Sequence, residues 1–108
     1  MRGIIVKYRK YKSSGQSLIS LPTTITDLID WKDNEEVHIR YKTYENNEGL
    51  FLTVKNGGRV VKYDSSRSNI TIPTTAAQML DWRDNDDIHL IFATINKKAG
   101  IFFYKKNI

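Results

Sequence analysis

The 108-residue chain contains no cysteine and no long apolar run. The lack of cysteine excludes a disulfide framework and a thiolate metal site. No apolar stretch approaches the roughly 20 residues that a membrane-spanning helix requires. The start of the chain also lacks the long apolar segment of a signal peptide. We therefore expect a cytoplasmic protein that makes no use of a membrane.

Acidic residues are missing from the first 26 positions. The whole chain has 17 basic and 12 acidic residues and a net charge of +5. Because the rest of the chain is balanced, the entire positive excess lies in this first segment. Such a segment is either a solvated, solubilising strand or a surface that binds a polyanion such as nucleic acid. Its five basic residues are Arg2, Lys7, Arg9, Lys10 and Lys12.

A stretch of about twenty residues occurs twice, since residues 21–39 match residues 72–90 without a gap. Both copies contain Pro-Thr-Thr followed by Asp-Trp, a basic residue and Asp-Asn. A match of this kind indicates a duplicated supersecondary unit. Each half is little longer than the shortest chains that fold unaided. We predict a first repeat over 1–55, a linker over 56–58 and a second repeat over 59–108, joined in one pseudo-dimeric domain.

Each repeat is predicted to contain two strands, one short helix and two further strands, from alternating and helical apolar spacing. We expect Trp31 and Trp82 to fold back into the core. Asp30 and Asp81 end the helices in a position that often needs a left-handed backbone, and the Asp-Asn pairs form turns. The positions predicted to face inward are Ile4, Val6, Tyr8, Ile19, Leu21, Val37, Ile39, Tyr41, Ile70, Ile72, Ile88, Leu90 and Phe92. The predicted apolar helix faces carry Ile25, Leu28 and Ile29 in the first repeat and Met79 and Leu80 in the second.

The last hairpin differs between the repeats, because Arg40 and Lys42 are replaced by Ile91 and Ala93. Phe102 and Tyr104 make the final strand apolar on both faces. We expect this hairpin to bury its outer face against the other half or against another chain. Further homodimerisation is left open by the same residues.

The run from Ile19 through the Pro22 turn to Ile39 resembles the signature of AbrB/SpoVT-type swapped-hairpin DNA-binding domains. Asp30 and Asp81 replace the usual helix-ending glycine, and Asp-Asn replaces Pro-Gly in the turn. The resemblance implies a mostly β fold: a swapped-hairpin, AbrB-like β-barrel built from two fused ββαββ repeats, each with one short helix. It also implies a cytoplasmic location in a prokaryotic cell, or in the host cell of a virus or plasmid.

The resemblance implies a transcriptional regulator that binds double-stranded DNA as a single-chain pseudo-dimer, reading sequence or shape. Basic residues would contact phosphates, which makes affinity depend on salt. The acids near the helix ends would form a separate pole that orients the protein. The DNA-binding residues predicted on matching positions are Lys7, Arg9, Lys10, Lys12 and Gln16 in the first repeat and Arg59, Lys62 and Arg67 in the second.

Other functions fit the residues less well. His38 and His89 lie at equivalent outward positions without further ligands at metal spacing, so solvated histidines are the expectation. The sequence offers no nucleophile with its base, no phosphate loop and no cofactor fingerprint. We therefore expect no enzymatic activity, no cofactor, no metal and no small-molecule substrate. Two alternatives remain: an antitoxin of the AbrB/MazE superfamily, whose usual tail we do not expect after the last strand, and a protein-interaction barrel resembling the double-psi type.

Overall fold

The computed structural model describes residues 4–11, 17–29, 31–32, 35–54, 59–64 and 68–105. In these ranges the chain forms eight strands and two short helices, so the prediction of a mostly β fold is confirmed. The first half contains β1 (Ile4–Lys10), β2 (Ser17–Ser20), α1 (Thr23–Ile29), β3 (Glu36–Tyr44) and β4 (Asn47–Val54). The second half contains β5 (Arg59–Asp64), β6 (Asn69–Thr71), α2 (Thr74–Met79), β7 (Asp87–Ile95) and β8 (Lys98–Tyr104).

The strands form a curled antiparallel sheet in which pairing runs in the order β1-β2-β6-β5-β3-β4-β8-β7 and returns from β7 to β1. Four of these pairings join the two halves: β1 with β7, β2 with β6, β3 with β5 and β4 with β8. The counterparts in the two halves are β1 and β5, β2 and β6, β3 and β7, and β4 and β8. When every strand is replaced by its counterpart, the closed pairing order does not change. The pairing is therefore consistent with an internal two-fold relation.

The registers of these pairings also correspond between the halves. Lys7 lies opposite Asp87 where β1 meets β7, and Lys62 lies opposite Glu36 where β5 meets β3. Backbone hydrogen bonds follow the same rule: Tyr8 N donates to Asp86 O, and Tyr63 N donates to Glu35 O, both at 3.0 Å. Each half thus provides the other with the same hydrogen-bonding partners.

The core lies between the inward positions of the strands, with the two tryptophans at its ends. Tyr8 packs edge-on against Trp82, and Trp31 packs edge-on against Tyr63, with ring centroids 5.7 Å apart in both pairs. All four rings are buried, so the prediction for both tryptophans is confirmed. Edge-to-face pairs of this kind contribute about 0.5–1.5 kcal/mol beyond the area they bury.

Both helices start directly after a proline, as the fixed φ of proline favours. Asp81, after α2, has φ 57°, and Asn85 in the following turn has φ 73°, which confirms their predicted left-handed conformations. Asp30 and Asn34 lie outside the described residues. With seven and six residues, neither described helix is long and apolar enough to cross a membrane.

The predicted apolar faces of the helices are wrong at one position in each repeat. Ile25 is buried as expected, but Leu28 is 74% exposed and its counterpart Met79 is 70% exposed. Each helix has at most two turns, which is too short for a whole stripe to reach the core. Leu28 and Met79 therefore point away from the core, while Leu80, the next residue of the second stripe, is partly buried against it.

The outer face of the β4–β8 pair forms a second, smaller apolar cluster. Phe51 and Phe102 lie opposite each other and are fully buried there with Ala93. Their rings pack over glycines of the neighbouring hairpin, since a Cβ on Gly100 would meet the Phe51 ring and one on Gly49 would meet the Phe102 ring. Of the two expectations for Phe102, burial against the other half is therefore confirmed.

Tyr41 and Phe92 do not face the core as predicted, because they are 42% and 39% exposed. They occupy equivalent positions in β3 and β7, where both strands extend past the ladders that join them to β5 and β1. Alternation still holds in these segments, but the described residues cover the inner face only partly there, and grooves lie between Tyr41 and Met79 and between Phe92 and Leu28. The prediction that Tyr41 and Phe92 face the core is therefore wrong in both repeats, and for the same reason.

We expect that neither half folds alone, because separation would break all four pairings between the halves. Residues 1–55 and 56–108, produced separately, should each give a poorly dispersed 1H–15N NMR spectrum and weak near-UV circular dichroism. An equimolar mixture should recover the dispersion of the intact chain. A folded, monomeric first half would contradict this reading of the pairing.

Candidate nucleic-acid interface

Three of the predicted DNA-binding residues are described with their side chains. Lys7 and Arg9 alternate with the buried Val6 and Tyr8, so they project outward from β1, and Lys10 is exposed at its end. Arg59 and Lys62 lie on β5, and for these two residues the structure describes only the backbone. Lys12, Gln16 and Arg67 lie outside the described residues.

The four strands β1, β2, β6 and β5 are neighbours and form one continuous face. The two outer strands of this face carry five basic residues and a single acid, Asp64. The two central strands carry no charged residue. The other four strands hold basic and acidic residues in equal number. Among the described strands, the positive excess therefore lies mostly on β1, with three basic residues and no acid, and to a smaller extent on its counterpart β5, with two basic residues and one acid.

The chain segments that follow β1 and β5 leave this face at opposite ends. Leu18 pairs with Thr71, and Ser20 pairs with Asn69, in the antiparallel ladder between β2 and β6. At one end of this ladder the start of β2 lies beside the end of β6. At the opposite end of the ladder, the end of β2 lies beside the start of β6. The end of β1 and the end of β5 therefore lie at opposite ends of this face.

Acidic residues of the second half lie directly beside the basic residues of β1. Lys7 Nζ is 2.7 Å from Asp87 Oδ1, and Arg9 Nε is 3.8 Å from Asp84 Oδ1. The backbone N–H of Lys10 also donates to Asp84 Oδ1 at 2.8 Å. The prediction of separate basic and acidic poles is therefore wrong for these residues, because β1 pairs with the strand that follows the Asp-Asn turn.

These ion pairs are weak enough to exchange for another anion. The side chains of Lys7, Asp87, Arg9 and Asp84 are each roughly half exposed. Exposed pairs contribute about 0–1 kcal/mol, since water and salt screen them. A phosphate approaching β1 would therefore compete with Asp84 and Asp87 at a small cost in free energy.

The two histidines are less exposed than predicted. His38 is half-buried, and its Nδ1 is buried with no hydrogen-bond partner recorded in the described residues. His89 is half-buried too and stacks on Tyr104 with ring centroids 5.2 Å apart. The prediction of solvated histidines is thus wrong, because the neighbouring strands cover one side of each ring. The described residues hold no cluster of three or more potential metal ligands.

Asp86 lies in the turn before β7 and accepts two hydrogen bonds, from the backbone N–H of Arg83 at 2.7 Å and from Lys105 Nζ at 3.1 Å. Burial acts to raise the pKa of Asp86, but these hydrogen bonds and the nearby positive charges together hold the pKa below its usual value. On the first half, Tyr41 donates a hydrogen bond to Glu48, and this bond raises the pKa of Tyr41.

No protein-family model, curated protein or solved structure matches this chain.

We predict that Asp86→Asn destabilises the protein by about 1–2 kcal/mol at pH 7, since it weakens a hydrogen bond to a charged group. The carboxyl pKa is lower in the folded than in the unfolded state. Its contribution is therefore present above the unfolded pKa of about 3.9 and is lost as the pH falls through the folded value. Urea unfolding from pH 7 to pH 2.5 should show the two proteins converging at low pH.

The control is Asp87→Asn, which removes a more exposed ion pair. It should change the free energy of unfolding by less than about 1 kcal/mol. Equal losses in both variants, or an Asp86→Asn effect that does not change with pH, would contradict the role given to Asp86.

Proposed function

We propose that this protein is a transcriptional regulator that binds double-stranded DNA as a single-chain pseudo-dimer. Its fold is proposed to be a swapped-hairpin barrel of the AbrB type, built from two fused ββαββ repeats. The proposal depends chiefly on one observation: β1 and β5, which the internal two-fold relates, carry five basic residues and one acid, and Lys7 and Lys62 occupy equivalent positions on them.

The strand pairing supports the proposed fold. The β1–β2 hairpin pairs with β6 and β7 of the second half, and β5–β6 pairs with β2 and β3 of the first. Each N-terminal hairpin is thus inserted into the opposite half. A homodimer with exchanged hairpins would have this relation between two chains, and in the proposed fold the two repeats have it within one chain.

The arrangement of charge supports DNA as the ligand. Duplex DNA presents two phosphate strands with an approximate two-fold relation, and β1 and β5, whose sequences are rich in basic residues, flank the uncharged strands β2 and β6. Lysine and arginine that neutralise phosphates release bound counterions, which supplies sequence-independent affinity. Sequence would then be read by side chains from the segments after β1 and β5, where Gln16 and Arg67 occur in the sequence.

The neighbouring acids would moderate this affinity. Asp84 and Asp87 lie at the edge of the basic face and repel phosphate while they pair with Arg9 and Lys7. A protein that must leave non-specific sites benefits from such competition, since non-specific binding is almost wholly electrostatic. The acids would thus lower the background more than they lower binding at a preferred site.

We predict that the triple variant Lys7→Ala, Arg9→Ala, Lys10→Ala loses most of its affinity for duplex DNA. Each phosphate contact contributes about 0.9 to the slope of log affinity against log salt concentration, so the slope should fall by nearly 3. Fluorescence anisotropy on a random 30-base-pair duplex across salt concentrations would measure both quantities.

The matched control removes the same charge from the other four strands, by Arg40→Ala, Lys42→Ala and Lys98→Ala. It should keep the slope of the parent protein. Equal losses in the two triple variants would contradict the placement of the interface on β1. No binding by the parent protein even at low salt would overturn the proposal and favour a protein-interaction barrel.

We also predict that the double variant Asp84→Asn, Asp87→Asn binds random duplex DNA about three- to tenfold more tightly. Loss of two weak competing ion pairs corresponds to roughly 1 kcal/mol in total. Asparagine keeps the oxygen that accepts from the Lys10 backbone, so the local fold should persist. Glu45→Gln, at an exposed turn away from the face, is the control and should leave affinity unchanged. Weaker binding by the double variant would contradict the competition argument.

A further inference from the structure

Two grooves lie at equivalent places in the two repeats. The first groove, of about 630 Å³, is lined by Leu28, Trp31, Glu35, Phe92 and Ala99 among others. The second groove, of about 360 Å³, is lined by Glu48, Met79, Trp82 and Lys105 among others. The repeat relates Leu28 to Met79, Trp31 to Trp82 and Ala99 to Glu48. The grooves are therefore two copies of one feature that have diverged.

The second groove contains an ammonium group of the chain itself. Lys105 Nζ donates to Asp86 Oδ2 at 3.1 Å and to the backbone oxygen of Asp81 at 2.7 Å. Both charged side chains are less than one-third exposed. The second copy thus shows how this feature holds the end of a lysine side chain: a carboxylate and a backbone carbonyl bind the ammonium beside Trp82.

The first groove keeps the carboxylate and lacks that ammonium. Glu35 stands where the repeat places Asp86, and it accepts from the Lys32 backbone as Asp86 accepts from that of Arg83. Position 54, the counterpart of Lys105, is valine. Within the described part of the chain, no ammonium or guanidinium group is recorded in an ion pair with Glu35.

The wall of the first groove is also less polar than that of the second. Tyr41 and Glu48, which hydrogen-bond to each other beside the second groove, correspond to Phe92 and Ala99 in the first. Leu28 and Phe92 in this groove are 74% and 39% exposed. The groove thus combines apolar side chains, the threonines Thr53 and Thr94 and one carboxylate, and this lining complements an aliphatic chain that ends in a positive charge.

We propose that the first groove binds a lysine side chain of a partner polypeptide, with its ammonium on Glu35 and its stem along Leu28 and Phe92. The chain's own Tyr104-Lys105 pair supplies the sequence of a probe peptide. The second groove already contains the Lys105 ammonium, whereas the first, of about 630 Å³, has space for a lysine side chain. This site lies apart from the β1 face, and the proposal does not depend on DNA binding.

The test uses the full 15N-labelled chain and two acetylated, amidated peptides, Gly-Tyr-Lys-Gly and Gly-Tyr-Gln-Gly. Titration of the lysine peptide should shift the Trp31 indole resonance and the Phe92 and Ala99 amides. The glutamine peptide should bind at least tenfold more weakly. Glu35→Gln should weaken binding of the lysine peptide by a similar factor, and Phe92→Ala should weaken it without touching the carboxylate.

Val54→Lys provides an internal competitor, because it places a lysine where the second repeat has Lys105, and it should block the peptide. Glu45→Gln is the matched control and should bind as the parent does. Equal shifts with both peptides, or an affinity for Glu35→Gln within twofold of the parent, would overturn the site. If butylammonium bound as tightly as the lysine peptide, this result would contradict the proposal that the occupant of the groove is a polypeptide. DNA affinity should be unchanged in Glu35→Gln, which separates this test from that of the β1 face.

Discussion

Hydrogen bonding between strands of opposite halves is the constraint on which the rest of the structure depends. Every hairpin is joined to the rest of the sheet through strands of the other repeat. This crossing brings Tyr8 onto Trp82 and Tyr63 onto Trp31, and it sets Lys7 beside Asp87. The core, the basic face and its ion pairs therefore follow from one pairing scheme that is applied twice.

The features that the sequence predicted correctly are set by short stretches of chain. Pro22 and Pro73 precede helices because proline fixes its own φ. Asp81 and Asn85 take positive φ because their short polar side chains tolerate that conformation. The tryptophans are buried in both repeats, as large aromatic residues after a helix end usually are. For these features the local residues contain most of the information.

The features that were missed depend on residues far apart in the chain. The contacts of Lys7 with Asp87 and of Arg9 with Asp84 require the register of β1 on β7, which composition does not contain. Exposure of Tyr41 and Leu28 depends on where the covering layers end, and alternation alone does not show that. Comparison of the two repeats nevertheless indicates that the grooves differ, because one repeat has Lys105 where the other has Val54.

The covalent joining of the halves changes how the molecule responds to dilution. A dimer of separate half-length chains dissociates as its concentration falls, and its stability is inseparable from the amount of protein present. In this chain the pairing partners of β1 and β3 belong to the same molecule, so folding is a first-order process. The assembled sheet is therefore as stable at a few molecules per cell as at micromolar concentration. A substitution in one repeat also need not occur in the other, whereas in a homodimer every substitution occurs in both chains.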